Sequence, residues 1–204
     1  ASPPDVSFTF NNNGACSGTP INFTSNVVGD GPFTYDWQFG DGTVSSVANP
    51  THIYNTFGCG FSTFTAELTV TDSNGCTDTT SQTISVEQRP ELAFEDLNAE
   101  FTPPFDNCGN NTVDPAYTVD VGNISPSDSC VTSYDVNWGD GTAVETNVTF
   151  PLNHTYTELG SFNMVITGYG DSGCVSTETI LVKNSSNPTG GIINPPGTVN
   201  LCLP

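Results

Sequence analysis

The chain has 204 residues, with 22 Asp and Glu against 2 Lys and Arg, and a formal net charge of −20. This balance argues against nucleic acid and anionic membrane surfaces as partners, because both would repel it. It also lacks the run of about 18 apolar residues that direct membrane insertion requires. The abundance of Thr, Asn, Ser and Val favours strands and turns, and the length suits two domains of about 100 residues each.

Alternating apolar and polar residues, interrupted by Gly, Pro, Asn and Asp, predict a first all-β domain at 1–88. In its longest segment Phe64, Ala66, Leu68 and Val70 share one face, as in a half-buried strand. The predicted strands are 5–10, 20–27, 33–39, 43–47, 50–54, 62–71 and 79–87.

The same pattern continues after Gln88-Arg89-Pro90 and predicts a second domain at 89–183. Phe162, Met164 and Ile166 repeat the alternation of the first domain, and neither domain has a convincing helix. The predicted strands are 92–98, 116–122, 131–138, 143–150, 152–156, 160–169 and 175–183. Residues 184–204 are predicted to be a linker and the start of a third module, so we expect the chain to be a fragment of a longer array.

One turn is written twice, as Phe39-Gly40-Asp41-Gly42 and as Trp138-Gly139-Asp140-Gly141. Glycine tolerates positive φ in a tight turn, Asp accepts backbone N–H bonds across it, and a following Tyr can return its hydroxyl to the backbone. We therefore interpret the turn residues, with the His of the following His-x-Tyr as a hydrogen-bonding partner, as structural rather than catalytic. The structural set is Gly40, Asp41, Gly42, His52, Tyr54, Gly139, Asp140, Gly141, His154 and Tyr156.

These blocks resemble PKD (polycystic kidney disease) domains, which are immunoglobulin-like modules with W-x-F-G-D-G and P-x-H-x-Y segments. The first domain has both, beginning at Trp37 and at Pro50. The second departs from the pattern, because Val136 replaces the Trp, Trp138 takes the Phe place and Pro151 is shifted by one residue. The resemblance implies tandem immunoglobulin-like β-sandwiches and roles in ligand contact, spacing or stalks, with no catalytic residues to carry over.

The segments Cys16-Ser17-Gly18 and Asn74-Gly75-Cys76 look like repeats of large secreted surface proteins of Bacteroidetes-type bacteria, including gliding-motility and filamentous adhesins. This second resemblance concerns a style of repeat. It implies a cell-surface or secreted protein.

Seven cysteines in an acidic, strand-rich chain predict disulfides and an oxidising compartment. The repeat suggests Cys16–Cys76 and Cys108–Cys174, but the order of strands in a sandwich places these partners at opposite ends. We therefore predict pairing among Cys16, Cys59, Cys130 and Cys174 near the domain junction. Two pairings keep the partners at the same end: Cys16–Cys59 with Cys130–Cys174, or two bridges across the junction. In both cases Cys76, Cys108 and Cys202 would face outward.

Calcium is the one cofactor that the acidic residues could bind, since it takes about 6–8 oxygen ligands, often from loops. No EF-hand loop is present, and the simpler interpretation is that these acids are solvated. The weak calcium candidates are Asp72, Asp78, Asp96, Asp128 and Asp171.

A hydrolase needs a nucleophile, a base and a group that orients the base. Both histidines of the chain lie in the structural motif, so we expect no enzyme. The leading prediction is a structural or adhesive repeat of a long extracellular protein, serving as spacer, stalk or filament body. The alternative is a carbohydrate- or protein-binding accessory module of a secreted enzyme, and a third possibility is a subunit that polymerises through its edges. Expected partners are neighbouring modules of the same chain and surface glycans or proteins.

Overall fold

A computed structural model describes residues 2–98, 103–110 and 115–186. The chain divides into two compact units, Ala1–Arg89 and Pro90–Pro204. In the described residues of both units, strands are nearly the only regular secondary structure, which confirms the all-β, immunoglobulin-like fold class. A single 3-10 turn, Asp128–Cys130, is the one helical element in the described ranges, where no helix has the length and apolar character to cross a membrane.

The first unit is a sandwich of two antiparallel sheets. One sheet has the strand order β1-β2-β5 and the other has the order β4-β3-β6-β7. The strands are β1 (Asp5–Phe10), β2 (Ile21–Val28), β3 (Thr34–Gln38), β4 (Val44–Ser45), β5 (Thr51–His52), β6 (Phe61–Thr71) and β7 (Thr77–Glu87).

The core of the first unit follows the predicted alternation. Ala66, Leu68 and Val70 of β6 are fully buried, and Phe64 is half-buried beside them. Trp37 of β3 is also fully buried, with its ring centroid 5.0 Å from that of Phe8 in the opposite sheet. The apolar residues at alternate positions of these strands therefore form the contact between the two sheets.

Two side chains of β7 tie its outer edge to β1 in the other sheet. Asp78 Oδ2 accepts a hydrogen bond from the backbone N–H of Val6, at 3.0 Å. Further along, the Gln82 side-chain amide donates to the backbone carbonyl of Phe8. These bonds satisfy backbone groups that a sheet edge otherwise leaves open.

The second unit repeats the sandwich with one additional strand. Its sheets have the orders β8-β10-β13 and β12-β11-β14-β15-β9. The strands are β8 (Phe94–Asp96), β9 (Asp106–Asn110), β10 (Tyr117–Asn123), β11 (Val131–Asn137), β12 (Glu145–Val148), β13 (Leu152–Tyr156), β14 (Gly160–Gly170) and β15 (Val175–Ser186).

The sequence did not predict β9, and it ended β15 too early. Strand β9 has the polar sequence Asp-Asn-Cys-Gly-Asn and pairs in parallel with the end of β15, which continues to Ser186. The sheet of the second unit thus continues three residues past the predicted boundary at 183. Asn184 is fully buried there, and its amide donates to the backbone carbonyls of Pro115 and Glu158, at 2.6 and 2.8 Å. In sequence, a polar residue whose hydrogen bonds are made inside the protein cannot be distinguished from a polar residue of an exposed linker. The predicted third module lies, from residue 187 onward, outside the described residues.

Candidate functional site

The Gly-Asp-Gly turn of the first unit is locked by the side chain of Asp41. Its Oδ1 accepts the backbone N–H of Thr43 at 3.0 Å, and its Oδ2 lies 2.7 Å from His52 Nε2. The His52 ring is stacked on Phe39, with centroids 4.2 Å apart and planes 7° apart. The turn, the strand before it and β5 are thus held by one carboxylate and one ring.

The second unit builds the same lock with different aromatic residues. Asp140 accepts the backbone N–H of Thr142 at 3.0 Å and lies 2.8 Å from His154 Nε2. The His154 ring stacks on Trp138 at 4.4 Å, and the Trp138 indole N–H donates to Glu145 Oε1 at 2.7 Å. The lock therefore accepts either Phe or Trp beneath the histidine.

A buried tyrosine completes each lock. Tyr54 donates its hydroxyl hydrogen bond to the backbone carbonyl of Phe39, and Tyr156 donates to that of Trp138, both at 2.9 Å. Burial, together with the negative charge of the neighbouring Asp, raises the pKa of both phenols. Each hydroxyl is therefore a permanent donor to the strand that enters the turn.

The carboxylates of the two locks are ionised hydrogen-bond acceptors. Burial alone would raise the pKa of Asp140, but hydrogen bonds from Thr142 and His154 outweigh it and lower the pKa to about 2. The pKa of Asp41 is lowered in the same way, with burial opposed by Thr43 and His52.

The first lock contains a hydroxyl, an imidazole and a carboxylate, the residue types of a hydrolytic triad. Thr43 Oγ1 and Asp41 Oδ2 approach the same ring nitrogen, His52 Nε2, at 3.4 and 2.7 Å. A triad needs the carboxylate on one ring nitrogen and the nucleophile on the other, so that the ring can accept a proton while remaining oriented. The geometry is therefore that of a structural clasp.

Removal of the buried hydroxyl should destabilise each unit separately. Tyr54→Phe and Tyr156→Phe should each lower the free energy of unfolding by about 1–3 kcal/mol, because a buried carbonyl loses its partner. Tyr169→Phe is the matched control, since its hydroxyl bonds the side chain of Asp135 and not a buried carbonyl. Urea titrations of the three variants test this, and equal small losses at all three positions would contradict it.

The stability of the second unit should depend on the ionisation of Asp140. Because its pKa falls from 3.8 to about 2 on folding, the carboxylate stabilises the fold above pH 4, and this contribution is lost as the pH falls towards 2. Asp140→Asn should therefore cost about 1–2 kcal/mol near neutral pH, and the difference from wild type should vanish near pH 2. Thermal melts of both proteins across this range measure it, and a difference independent of pH would refute the assignment.

The calcium candidates are not assembled into one site. Within the residues described, no group of three or more His, Cys, Asp and Glu side chains lies close enough to hold a metal ion. Asp72 Oδ1 accepts the backbone N–H groups of Asn74 and Cys76, both at 2.8 Å. The other acids act in a similar way: Asp78 bonds Val6 as above, Asp96 accepts from Asn98 and Phe105, and Asp128 accepts from Asn123 and Tyr134. The backbone N–H of Asp171 donates a hydrogen bond to the backbone carbonyl of Cys130, at 2.8 Å.

Disulfides are present, as predicted. Cys16, Cys59, Cys130 and Cys174 are all disulfide-bonded, and Cys76 is a free, half-buried thiol. The side chain of Cys108 and the whole of Cys202 lie outside the described residues. Which of the bonded cysteines pair with each other remains a prediction.

A groove of about 520 Å³ opens in the second unit, and sequence reasoning gave no indication of it. It is lined by residues of β8, β10, β11 and the 3-10 turn, and by the segment Val148–Pro151. These residues are far apart in the chain and share no motif, so only the folded sheets bring them together. Gly122 forms part of its wall, and a Cβ there would lie 2.9 Å from Leu97 Cδ2.

Comparison with known proteins shows what the first unit is similar to. Residues 1–87 match the family model described as PKD domain, which confirms the resemblance for that unit. Collagenase ColA of Bacillus cereus is 40% identical over 86 residues, which are 42% of this chain and 8% of that protein. Collagenase ColA of Clostridium perfringens is 39% identical over 74 residues, 31% of this chain and 6% of that protein. The chain thus spans less than a tenth of the length of these relatives.

Two solved PKD1 domains are also similar to the chain. The one from Vibrio anguillarum Epp is 31% identical with a TM-score of 0.36, covering 43% of this chain and 96% of that domain. The one from the Vibrio cholerae metalloprotease PrtV is 30% identical with a TM-score of 0.36, covering 43% of this chain and 100% of that domain.

Proposed function

We propose that this chain is a non-catalytic, extracellular segment of a longer protein, in which consecutive sandwich modules act as a spacer or stalk. The observation that carries the proposal is the repetition of one structural lock. Asp, His and Tyr clasp the same turn in both units, with Asp–His distances of 2.7 and 2.8 Å. The Asp and His side chains that could otherwise act in catalysis therefore stabilise the fold.

The disulfides support an extracellular setting. Four cysteines are oxidised in the structure, and such bonds persist in secreted and cell-surface proteins but are rare in the cytosol. The net charge of −20 supports the same setting, because mutual repulsion keeps exposed repeats soluble. A segment of this kind serves by holding other domains at a distance and resisting unfolding.

An exchange experiment within the parent protein tests the spacer role. The chain is replaced by two unrelated immunoglobulin-like domains of similar length, and separately by a flexible Gly/Ser linker of the same number of residues. We expect the folded replacement to restore surface display and attachment, and the flexible linker to do so poorly because it does not hold a fixed distance. If only the native chain restores activity, the proposal that the chain acts as a spacer alone is wrong.

The second candidate function is that of a substrate-binding accessory module in a secreted protease. The identity of 40% between the first unit and a collagenase favours it. Cosedimentation of the complete chain with fibrillar collagen, with cellulose as the control solid, tests this candidate. Among the large exposed apolar residues described, only Phe57 and Phe61 are aromatic, so a row of aromatic residues for carbohydrate is not the feature that supports binding.

The assignment to a surface adhesin, and to a gliding-motility adhesin in particular, rests on the style of the repeats. We retain it as part of the proposal, since stalk modules of such adhesins perform the spacer role described above. The sequence on both sides of this segment in the gene would test it, because many further copies are expected for an adhesin and a protease domain for the accessory module.

A further inference from the structure

We propose that the groove of the second unit binds a cationic side chain, arginine or lysine, presented by an extended segment of a partner protein. This inference does not depend on whether the chain is a spacer or an accessory module. Its volume of about 520 Å³ lies in the range of binding clefts and suits one long side chain with the backbone on either side of it.

The groove presents two carboxylates that retain free capacity to accept hydrogen bonds. Glu95 is exposed, and its carboxylate makes no hydrogen bond or ion pair within the part of the chain that the structure describes. Asp128 Oδ1 accepts from Asn123 Nδ2 at 2.7 Å and from the Tyr134 hydroxyl at 2.8 Å. The second oxygen, Oδ2, makes no hydrogen bond among the described residues, so it is held in position with its lone pairs available.

The partner of these carboxylates cannot come from the basic residues of the chain itself. Arg89 and Lys183 are its only cationic residues apart from histidine, and neither lines the groove. Lys183 Nζ lies 3.4 Å from Asp106 Oδ2, and the Arg89 guanidinium lies 5.1 Å from the centroid of the Phe57 ring. Two unneutralised carboxylates in one groove of a strongly acidic protein favour a cation from outside.

The apolar part of the groove suits the methylene stem of such a side chain. Leu97, Val148 and Pro151 line it, and Leu97 is 49% exposed. The stems of Arg and Lys cover apolar surface while their charged ends reach polar partners. The groove thus offers apolar contact along the stem and carboxylates at the charged end.

A neutral sugar fits the groove less well. Stacking against a sugar requires an exposed aromatic face, but Tyr134 is only 6% exposed and Phe150 is half-buried. Both rings pack against Phe94 inside the unit, with the centroids of Phe94 and Phe150 5.1 Å apart. The charge of the groove, and not an aromatic platform, is its distinguishing feature.

The test is a nuclear magnetic resonance titration of the complete chain with acetyl-Gly-Gly-Arg-Gly-Gly-amide. The same peptide with citrulline is the control, because citrulline keeps the shape of arginine and removes its charge. We expect shifts concentrated on the backbone amides of Leu97, Gly122 and Asn123, and clearly weaker binding of the citrulline peptide. Binding should weaken at higher salt, because charge pairs carry it.

Three variants separate the groove from the general acidity of the protein. Glu95→Gln and Asp128→Asn should each weaken binding by about threefold to tenfold. Glu178→Gln removes the same charge from an exposed position of β15 and should leave the affinity unchanged. Asp128 also accepts hydrogen bonds from its neighbours, so the affinity of its variant is interpreted only if the variant keeps the melting temperature and the amide spectrum of the wild type. If it does not, the affinity of Glu95→Gln alone tests the groove.

Four outcomes would overturn the proposal. They are an equal loss for Glu178→Gln, equal binding of the citrulline peptide, shifts spread over the whole surface, and no localised shift at millimolar peptide. A parallel titration with cellopentaose covers the sugar alternative, and if it perturbs the same amides while the arginine peptide does not, the groove is a carbohydrate site.

Discussion

Alanine in place of Gly139 is expected to lower the free energy of unfolding by about 3–5 kcal/mol. Gly139 has φ +79°, where a Cβ is strained, and the added Cβ would lie 2.4 Å from the backbone oxygen of Asn163. Backbone of β14 cannot move aside without breaking its pairs with β11 and β15. Gly40→Ala should act equally in the first unit, where the Cβ would lie 2.6 Å from the oxygen of Thr65.

The second glycine of each turn provides the control. Gly42 and Gly141 have φ +90° and +88°, but a Cβ at either position meets no atom within 4 Å. Alanine there should cost only the strain of a left-handed residue, about 1–2 kcal/mol. Urea unfolding of the four variants measures the difference, and equal losses at both glycines would mean that strain alone, and not close approach, explains the turn.

This turn was predictable from sequence because its residue types are local requirements. Glycine, Asp and the following His-x-Tyr lie close together in the chain, and each has a familiar role in a turn. The close approach of Gly139 to Asn163 was not predictable, since it depends on how β14 passes the turn. Sequence therefore indicated which residues form the lock but not which glycine is indispensable.

Strands with an apolar stripe were also predicted closely, because burial of alternate residues leaves a pattern of period two. Strand β9 leaves no such pattern, since polar residues in it are buried by hydrogen bonding. Asn107 and Asn184 are 1% and 0% exposed, and their side chains are hydrogen-bonded to each other at 3.2 Å. Paired amides in a core carry no hydropathy signal, so a strand of this kind is found only once its partner is known.

The acidic residues show a similar limit. In sequence, Asp78 and Asp72 are carboxylates near strand ends, which suits solvent exposure and leaves calcium binding open. In the fold, Asp78 accepts a hydrogen bond from the backbone N–H of Val6 in another strand. Asp72 is 7% exposed and accepts hydrogen bonds from backbone N–H groups of its own turn. The sequence shows how many carboxylates there are, but only the tertiary structure shows which of them already accept hydrogen bonds from the protein. Asp72 and Asp78 do so, whereas Glu95 in the groove does not within the described residues.

Loss of the disulfides is the other large effect that we expect. Each bridge restricts the unfolded chain, so Cys→Ser at any one bonded position should lower the free energy of unfolding by about 2–4 kcal/mol. Cys76 is the internal control, because its thiol is free, and Cys76→Ser should change the stability by no more than about 0.5 kcal/mol. Equilibrium unfolding without reductant measures all five variants, and a large loss at Cys76 alone would contradict this account.

Double substitutions then determine the pairing, because removing the second cysteine of a bridge that is already broken costs little more. If Cys16 pairs with Cys59, and Cys130 with Cys174, the double variants Cys16→Ser/Cys59→Ser and Cys130→Ser/Cys174→Ser should be about as stable as their single variants. Bridges between the units would instead make cross-unit double variants non-additive, and would couple the unfolding of both units into one transition. The number of transitions under reducing and oxidising conditions therefore separates two modules with a disulfide each from two modules joined by disulfides.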